Sequence, residues 1–580
     1  MPGLRDSEYV DAASYFGIAA NWIEERAAAS QGKLEATPIR FQSCDTLDYG
    51  GVLLLLPSLL ECGLLSYKKH YCELDKGYYY IDFIILLIAF MYLCRIRNPE
   101  QLSRINPGEF GKLLGIDRVP ESKCLRKKIK QICDQEKSGE WNTELARKWI
   151  SAEDNEFYYI DGHIQIYHGH KAQLGKKYIA RQKLCLPGVQ EFWINNMDGL
   201  PYFYIRGEVN EKLLEMLDTK IIPMILEEMP QKYSESELAE DPDLARFTLV
   251  FDREAYSPVY FNKIWEEHRI AVITYRKNVK DKWEESCFQN YTIDIEGTDT
   301  EMKLAEKEVR IKDIPIREMR KLSEDGHQTS VITTNKKLGI MLIALYMFAR
   351  WSQENYFRYM RQDYDFDRML QYTVEQLDGD IKVNHPRYSK LTNRISKTRE
   401  KISRREANLY NLIEKNVSEE LEKNPKNEVK QLKIRQEIEE LRQQEQTLLA
   451  ERAQYPSKIK IKDMPEKIRY NQLNGESKHF QNIIKMICYR AESAFANLLA
   501  PHYKKSINEK RALTKKIINT RIDLKPDYEK KKLFVNLYTL STPRDNNAVY
   551  KILETLNDSK TIYPGTDLVL CYEIATSKST

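Results

Sequence analysis

EFYYIDGHIQIYHG, residues 156–169, is rich in Tyr, Phe and Ile and alternates in polarity. That pattern predicts a β-strand followed by a second strand. Asp161 sits in the middle of it, on the face shared by Tyr159 and His163. A carboxylate among such apolar neighbours is costly unless something pairs with it, so Asp161 calls for partners elsewhere in the chain.

Downstream, QEFWINNMDGLPYFYI (190–205) reads as a strand pair turning at Asn196–Gly199, and NEKLLEMLDTKIIPMILEEM (210–229) has helical spacing despite Pro223. RFTLVFD (246–252) is a short apolar strand ending at Asp252, PVYFNKIWEEH (258–268) returns to helix, and IAVITYR (270–276) is a further strand. Hairpin strands followed by alternating helices and strands predict a mixed α/β sheet. Residues 277–334 break the rhythm with charged, strand-like pieces that include SVITTN (330–335), and they read as an insertion. Helix resumes in KLGIMLIALYMFARWSQENYFRYMRQDYDFD (337–367), which carries Glu354.

Around this core, covering 151–378, the chain divides into four further parts. Residues 1–45 are polar and predict a loosely held arm. Residues 46–150 are helical, and GEFGKLLGIDRVPESKCLRKKIKQIC (108–133) reads as helix, turn at Asp117–Pro120, and second helix. The second helix carries Arg126, Lys127 and Lys130, so it is a candidate to lie in a major groove. The alternative is a plain helical hairpin with a solvated basic face. Residues 379–458 predict a coiled-coil hairpin: Leu391, Ile395, Thr398, Ile402, Arg405, Leu409 and Leu412 recur at alternating spacings of four and three. Ile434, Ile438, Leu441, Glu445 and Leu448 do the same, with Arg405 and Glu445 as candidate facing partners. The basic first half of this arm suits a phosphate backbone, dimer pairing or simply a solvated face. Residues 459–580 predict a small α+β domain, with a helix near 476–500, a strand at 533–538, a helix at 545–556 and a strand at 567–574.

Bulk properties constrain less. A chain of 580 residues exceeds what one core usually organises, and the net charge of +4 argues neither for nor against nucleic acid. Ten cysteines are scattered without a C-x-x-C pair, which speaks against zinc fingers and a disulfide scaffold and for a reducing cytoplasm. The opening residues lack a signal pattern. The most apolar run, Phe83 to Cys94, is shorter than the roughly twenty residues a bilayer needs, so it predicts a buried helix and no membrane span.

Asp161 on a strand, Asp252 at a strand's carboxyl end and Glu354 on a helix form a candidate set of hard oxygen ligands. Mg²⁺ prefers such ligands, with Mn²⁺ as a substitute. Two such ions about 4 Å apart can activate a water or hydroxyl and stabilise a leaving 3′ oxygen. Y-I-D-G-H around Asp161, F-D-R-E-A-Y-S around Asp252 and R-W-S-Q-E-N around Glu354 together resemble the bacterial insertion-sequence transposases with a ribonuclease-H-like DDE core and a β-strand insertion. That family carries Y-x2-R-x3-E-x6-K on the glutamate helix. Here Arg350, Glu354 and Arg361 match R-x3-E-x6-basic, whereas the tyrosine, Tyr346, is displaced by one place and Met347 takes the expected position.

The resemblance implies a metal-dependent polynucleotidyl transferase acting on the inverted-repeat ends of its own element and on target DNA. It also implies a homodimer on paired ends, in a bacterial cytoplasm and associated with the nucleoid when on DNA. Asp161, Asp252 and Glu354 would be catalytic and hold two ions. Arg350 and Arg361, on one helix stripe with Glu354, would grip phosphates. Trp351 is a candidate to stack on an extruded base, with Trp283 in the insertion as a second; the alternative for both is a core residue. His163 is placed to approach the metals or a phosphate, while His168 and His170 lack the partners of a zinc site. Arg253 and Ser257 are candidate supports beside Asp252. The rival expectations are a nuclease without strand transfer and a catalytically silent DNA-binding protein.

Overall fold

The computed structural model describes residues 17–153, 156–170, 172–179, 182–207, 211–295, 298–348, 350–367, 374–418, 425–466 and 469–575. The N-terminal part is built from α1 (Ile23–Ser30), β1 (Cys44–Leu47), α2 (Ile81–Leu93), α3 (Ser122–Cys133) and α4 (Ser138–Glu153). The apolar run is α2, buried at every residue but Asp82, and no described helix is long and apolar enough to cross a membrane.

The loosely held arm expected over 1–45 is corrected from residue 17 onward. Arg26 is buried and pairs with Asp117 at 2.6 Å, and Tyr78 donates its hydroxyl to the same carboxylate at 2.5 Å. Charged residues concealed this packing, because their partners lie far along the chain. The helix, turn and second helix of 108–133 are present, as Pro107–Lys112 and α3.

The central sheet has ten strands. β2 (Phe157–Ile166) is one continuous strand where two were expected. It pairs antiparallel with β4 (Leu184–Asn195), and β4 pairs with β3 (Lys176–Ile179) and β5 (Pro201–Arg206). On its other side β2 runs parallel to β6 (Phe247–Phe251), and β6 runs parallel to β7 (Ile270–Tyr275) through the crossover helix α5 (Pro258–His268). The segment read as an insertion extends this same sheet. β11 (Gln328–Thr333) pairs with β7, followed in antiparallel order by β10 (Ile314–Leu322), β9 (Thr298–Ile311) and β8 (Gln289–Ile295). Pro223 is tolerated because the helix around it opens into a π-turn at Leu217–Ile221, placing the proline in the first turn of Ile222–Glu228.

The helix expected over 337–367 is two helices, α6 (Ile340–Phe348) and α7 (Trp351–Tyr364). α6 covers one face of the sheet with Ile343, Ala344 and Met347. The arm follows as α8 (Pro386–Ser418) and α9 (Pro425–Ala453), with Leu391, Ile395 and Leu448 packed at its root. The expected Arg405–Glu445 facing pair is corrected: Arg405 pairs with Glu437 at 2.7 Å, and Glu445 with Arg399 at 2.6 Å. The register is thus shifted by about two turns relative to that reading. Part of the expected connection, 419–424, lies outside the described residues. Two short ribbons close the base of the arm, β12 (Val374–Gln376) with β15 (Asn471–Leu473), and β13 (Lys382–Asn384) with β14 (Lys458–Lys460).

α10 (Glu476–Leu499) does not belong to a separate tail. It is buried along nearly its whole length and packs against α2, α3 and α4. α11 (Ile507–Ile518) follows, then a sheet in the order β1, β16 (Ile522–Asp527), β17 (Lys532–Leu537) and β18 (Val569–Ile574). α12 (Pro543–Asp558) links β17 to its parallel neighbour β18. One hydrophobic core runs from Phe41 through α2, the inner face of the central sheet and α10 to Tyr572, so the N-terminal helices and C-terminal strands are one packed body.

Candidate active site

Strand register brings the two aspartates together. Ile160 pairs with Phe251 across the parallel β2–β6 ladder, so Asp161 and Asp252 are the next residue on each strand. β6 ends there, and Asp252 turns out of the sheet to accept the Arg253 N–H at 2.6 Å. Asp161 accepts the Gly162 N–H at 3.0 Å. A side chain at Gly162 would press on Gln190 and Glu254, at 3.0 and 3.1 Å from its Cβ.

Glu354 comes from the first turn of α7, and Gln353 fixes where that turn sits. The buried Gln353 amide donates to the Tyr159 and Trp193 carbonyls and to Asn195 Oδ1 at 2.9 Å. Ser352 donates to the Met197 carbonyl at 2.6 Å. The β4–β5 turn comes so close that a Cβ on Gly199, whose φ is +77°, would lie 2.6 Å from the Ser352 carbonyl.

The three carboxylates converge on one guanidinium. Arg350, at the N-terminus of α7, lies 4.0 Å from Asp161 and 3.9 Å from Asp252, and donates to Glu354 at 2.8 Å. Burial pushes the Asp161 carboxyl up to about 6. Arg350 and His163 pull it down, and Glu254 and Asp252 add to the rise. Beside these groups opens a cleft of about 500 Å³, lined also by Asn355, Phe357, Arg358 and Arg361.

Among the described residues, no group of three or more His, Cys, Asp or Glu stands close enough to hold a metal ion as placed. The carboxylates are spaced as ligands of a guanidinium. In chemistry, though not in present spacing, they suit a hard divalent cation: three carboxylates of separate elements gathered around one guanidinium.

His163 is held by Asp367, at 2.6 Å from Nε2, and stacks on Phe357. His168 and His170 are exposed beyond the end of β2. Arg253 is exposed, with its guanidinium 5.6 Å from the Tyr275 ring, and Ser257 caps α5 by accepting the Tyr260 N–H. Trp351 opens α7, but its side chain lies outside the described residues. Trp283 is a buried ring with two cations against it, Arg320 at 4.3 Å and Lys307 at 4.8 Å, and it does not line the carboxylate cleft. The displaced Tyr346 stacks on Phe157, 3.8 Å between ring centres. On α3, Arg126, Lys127 and Lys130 are exposed opposite a buried Leu125–Ile129–Ile132 face; Arg126 pairs with Glu100 and Lys130 with Asp134.

Sequence reasoning missed Asn355, Arg358 and Glu254. Helical spacing was the available signal for Arg358, four residues beyond Glu354, and Glu254 stands inside the quoted F-D-R-E-A-Y-S stretch.

No curated protein and no solved structure matches the chain. A family model described as "Transposase protein" matches residues 17–576, nearly its whole length. The chain therefore belongs to this family of transposase proteins.

Proposed function

We propose that this transposase is of the DDE type, with a ribonuclease-H-like core that cuts DNA at the inverted-repeat ends of its element and joins those ends to target DNA. The observation that carries the reading is the convergence of Asp161, Asp252 and Glu354, from two adjacent parallel strands and one helix, on the Arg350 guanidinium. The strand arrangement supports it. Three antiparallel strands, β5, β4 and β2, adjoin two parallel ones, β6 and β7, and the acids lie where β6 ends.

Two Mg²⁺ ions held by the three carboxylates, or Mn²⁺ in their place, would supply activation of the attacking oxygen and charge neutralisation at the leaving oxygen. In the first reaction a water oxygen forms a bond to phosphorus and the bond to the 3′ oxygen breaks, leaving a 3′-hydroxyl and a 5′-phosphate. In the second, that hydroxyl attacks a target phosphodiester and displaces the target's own 3′ oxygen. Such transfer needs positioning and charge more than a side-chain nucleophile. Arg350 and Arg361 place guanidinium groups along the cleft, where they serve phosphate oxygens. The working assembly in this reading is a homodimer on paired ends.

The test incubates the protein with end DNA, a target plasmid and Mg²⁺, beside Asp161→Asn and Glu354→Gln. The reading expects cleaved and joined products from the wild type and at least about 1,000-fold less from either variant. Cleavage without joining identifies a nuclease. DNA binding with no chemistry in any sample identifies a silent binding protein.

A further inference from the structure

We infer that the pocket between α7 and α11 is a second DNA-strand subsite, seating a phosphodiester next to the one at the carboxylates. This rests on the reading above for the identity of the strand. The pocket, about 380 Å³, is contiguous with the carboxylate cleft, since Asn355 and Arg358 line both. From Glu354 to Arg358 the helix rises about 6 Å, the reach of one to two nucleotides at about 3.4 Å each.

Two cations in the pocket have unused capacity. Arg358 is exposed and makes no hydrogen bond or ion pair among the described residues. Arg511 donates through Nη2 to Ser493 at 2.7 Å and is clamped against the rings of Tyr489 and Tyr359, 4.4 and 4.7 Å away. Its Nη1 is shut off from solvent and has no hydrogen-bond partner. A guanidinium N–H in that state is costly, and a phosphate oxygen entering the pocket satisfies it. Of the acids at the wall, Asp363 is neutralised by Lys515 at 2.7 Å and by Arg95 at 3.5 Å. Asn508, in the first turn of α11, also lines the pocket.

The experiment measures binding of a fluorescein-labelled oligodeoxythymidine of about twelve nucleotides to the full chain by anisotropy across a salt series. Arg358→Ala is expected to weaken binding about 10-fold and to reduce the slope of log affinity against log salt by about 0.7, one single-strand phosphate contact. Asn508→Glu, an exposed change that adds a negative charge to the pocket, weakens binding similarly without lowering the melting temperature, and Arg358→Lys recovers most of the loss. Wild-type affinity and slope in both Arg358→Ala and Asn508→Glu overturn the subsite. So does displacement of the oligonucleotide by dTMP at equal concentration, which identifies a free-nucleotide site. Plasmid cleavage by Glu354→Gln is read in parallel: if that variant still cuts, the catalytic reading fails. If it is inactive while the two pocket variants bind normally, only the subsite fails.

Discussion

Arg350 donates to Glu354 at 2.8 Å, one turn along α7, with the same guanidinium within 4.0 Å of both aspartates. One guanidinium thus stands among three acids that would otherwise repel each other. The arrangement makes Arg350 a competitor of any divalent ion and, once an ion is bound, a cation at hand for phosphate.

Replacement of Arg350 by Ala separates those two roles. Mn²⁺ affinity, read by titration calorimetry, is expected to hold or rise, because the ion no longer displaces a guanidinium. Plasmid cleavage is expected to fall by about 100-fold through loss of phosphate stabilisation. A collapse of Mn²⁺ binding would instead mean that Arg350 is needed to gather the carboxylates.

The raised Asp161 carboxyl sets a pH window. Its ordinary value is 3.8, and in the folded chain burial pushes it up to about 6. Between those values the native protein keeps a proton that the unfolded chain has lost, so this group's contribution to stability falls as pH rises from about 4 to 6. Ion binding needs the carboxylate and runs the other way. The rise in melting temperature on adding Mg²⁺ is therefore expected to be small at pH 5 and to grow to a plateau above pH 6.5. Asp161→Asn should flatten that dependence, and a flat profile in the wild type would remove Asp161 from the ligand set.

Local periodicity makes much of this fold legible in the sequence. The hairpin at Asn196–Gly199, the strand ending at Asp252, the Pro258–His268 helix and the two arm helices all follow from spacing within a few residues. What stayed hidden depends on partners far apart in the chain. β1 pairs with β16 almost five hundred residues away, and the helix expected in a C-terminal tail is instead central to the body. The pairing of seam charges in the arm depends on interhelical register, which heptad spacing in each helix alone does not set. Asp161, Asp252 and Glu354 could each be singled out by local motif. That Arg350 stands among all three depends on its place at the start of α7 and on the Gln353 anchor, and neither has a local signature.

Gln353 offers a test of positioning. Its amide spans β2 and β4 and ties the residue next to Glu354 to the Tyr159, Trp193 and Asn195 acceptors. Gln353→Leu keeps the volume and removes the donors, at a cost of about 2 kcal/mol in stability. Cleavage rate at saturating DNA is expected to fall at least about 10-fold while DNA affinity stays within twofold. An unchanged rate with a lowered melting temperature would reduce Gln353 to a packing role.

Arg95 ties the N-terminal helices to the helix that carries the catalytic candidate. It pairs with the buried Glu492 of α10 at 2.7 Å, and the hydroxyls of Tyr359 and Tyr364, both on α7, donate to the other oxygen of that carboxylate at 3.0 and 2.8 Å. Removing only the cation strands a buried negative charge, so Arg95→Ala is expected to cost about 3–5 kcal/mol. Neutralising the acid as well, in Arg95→Met with Glu492→Gln, should recover more than half of that loss in thermal or urea unfolding, because the stranded charge and not the missing contact dominates. Equal destabilisation in the single and double variants would show that the lost arginine packing matters more. Since both tyrosines lie beyond Glu354 on α7, the single variant is also expected to lose cleavage activity at temperatures where it remains folded, and the double variant to regain it.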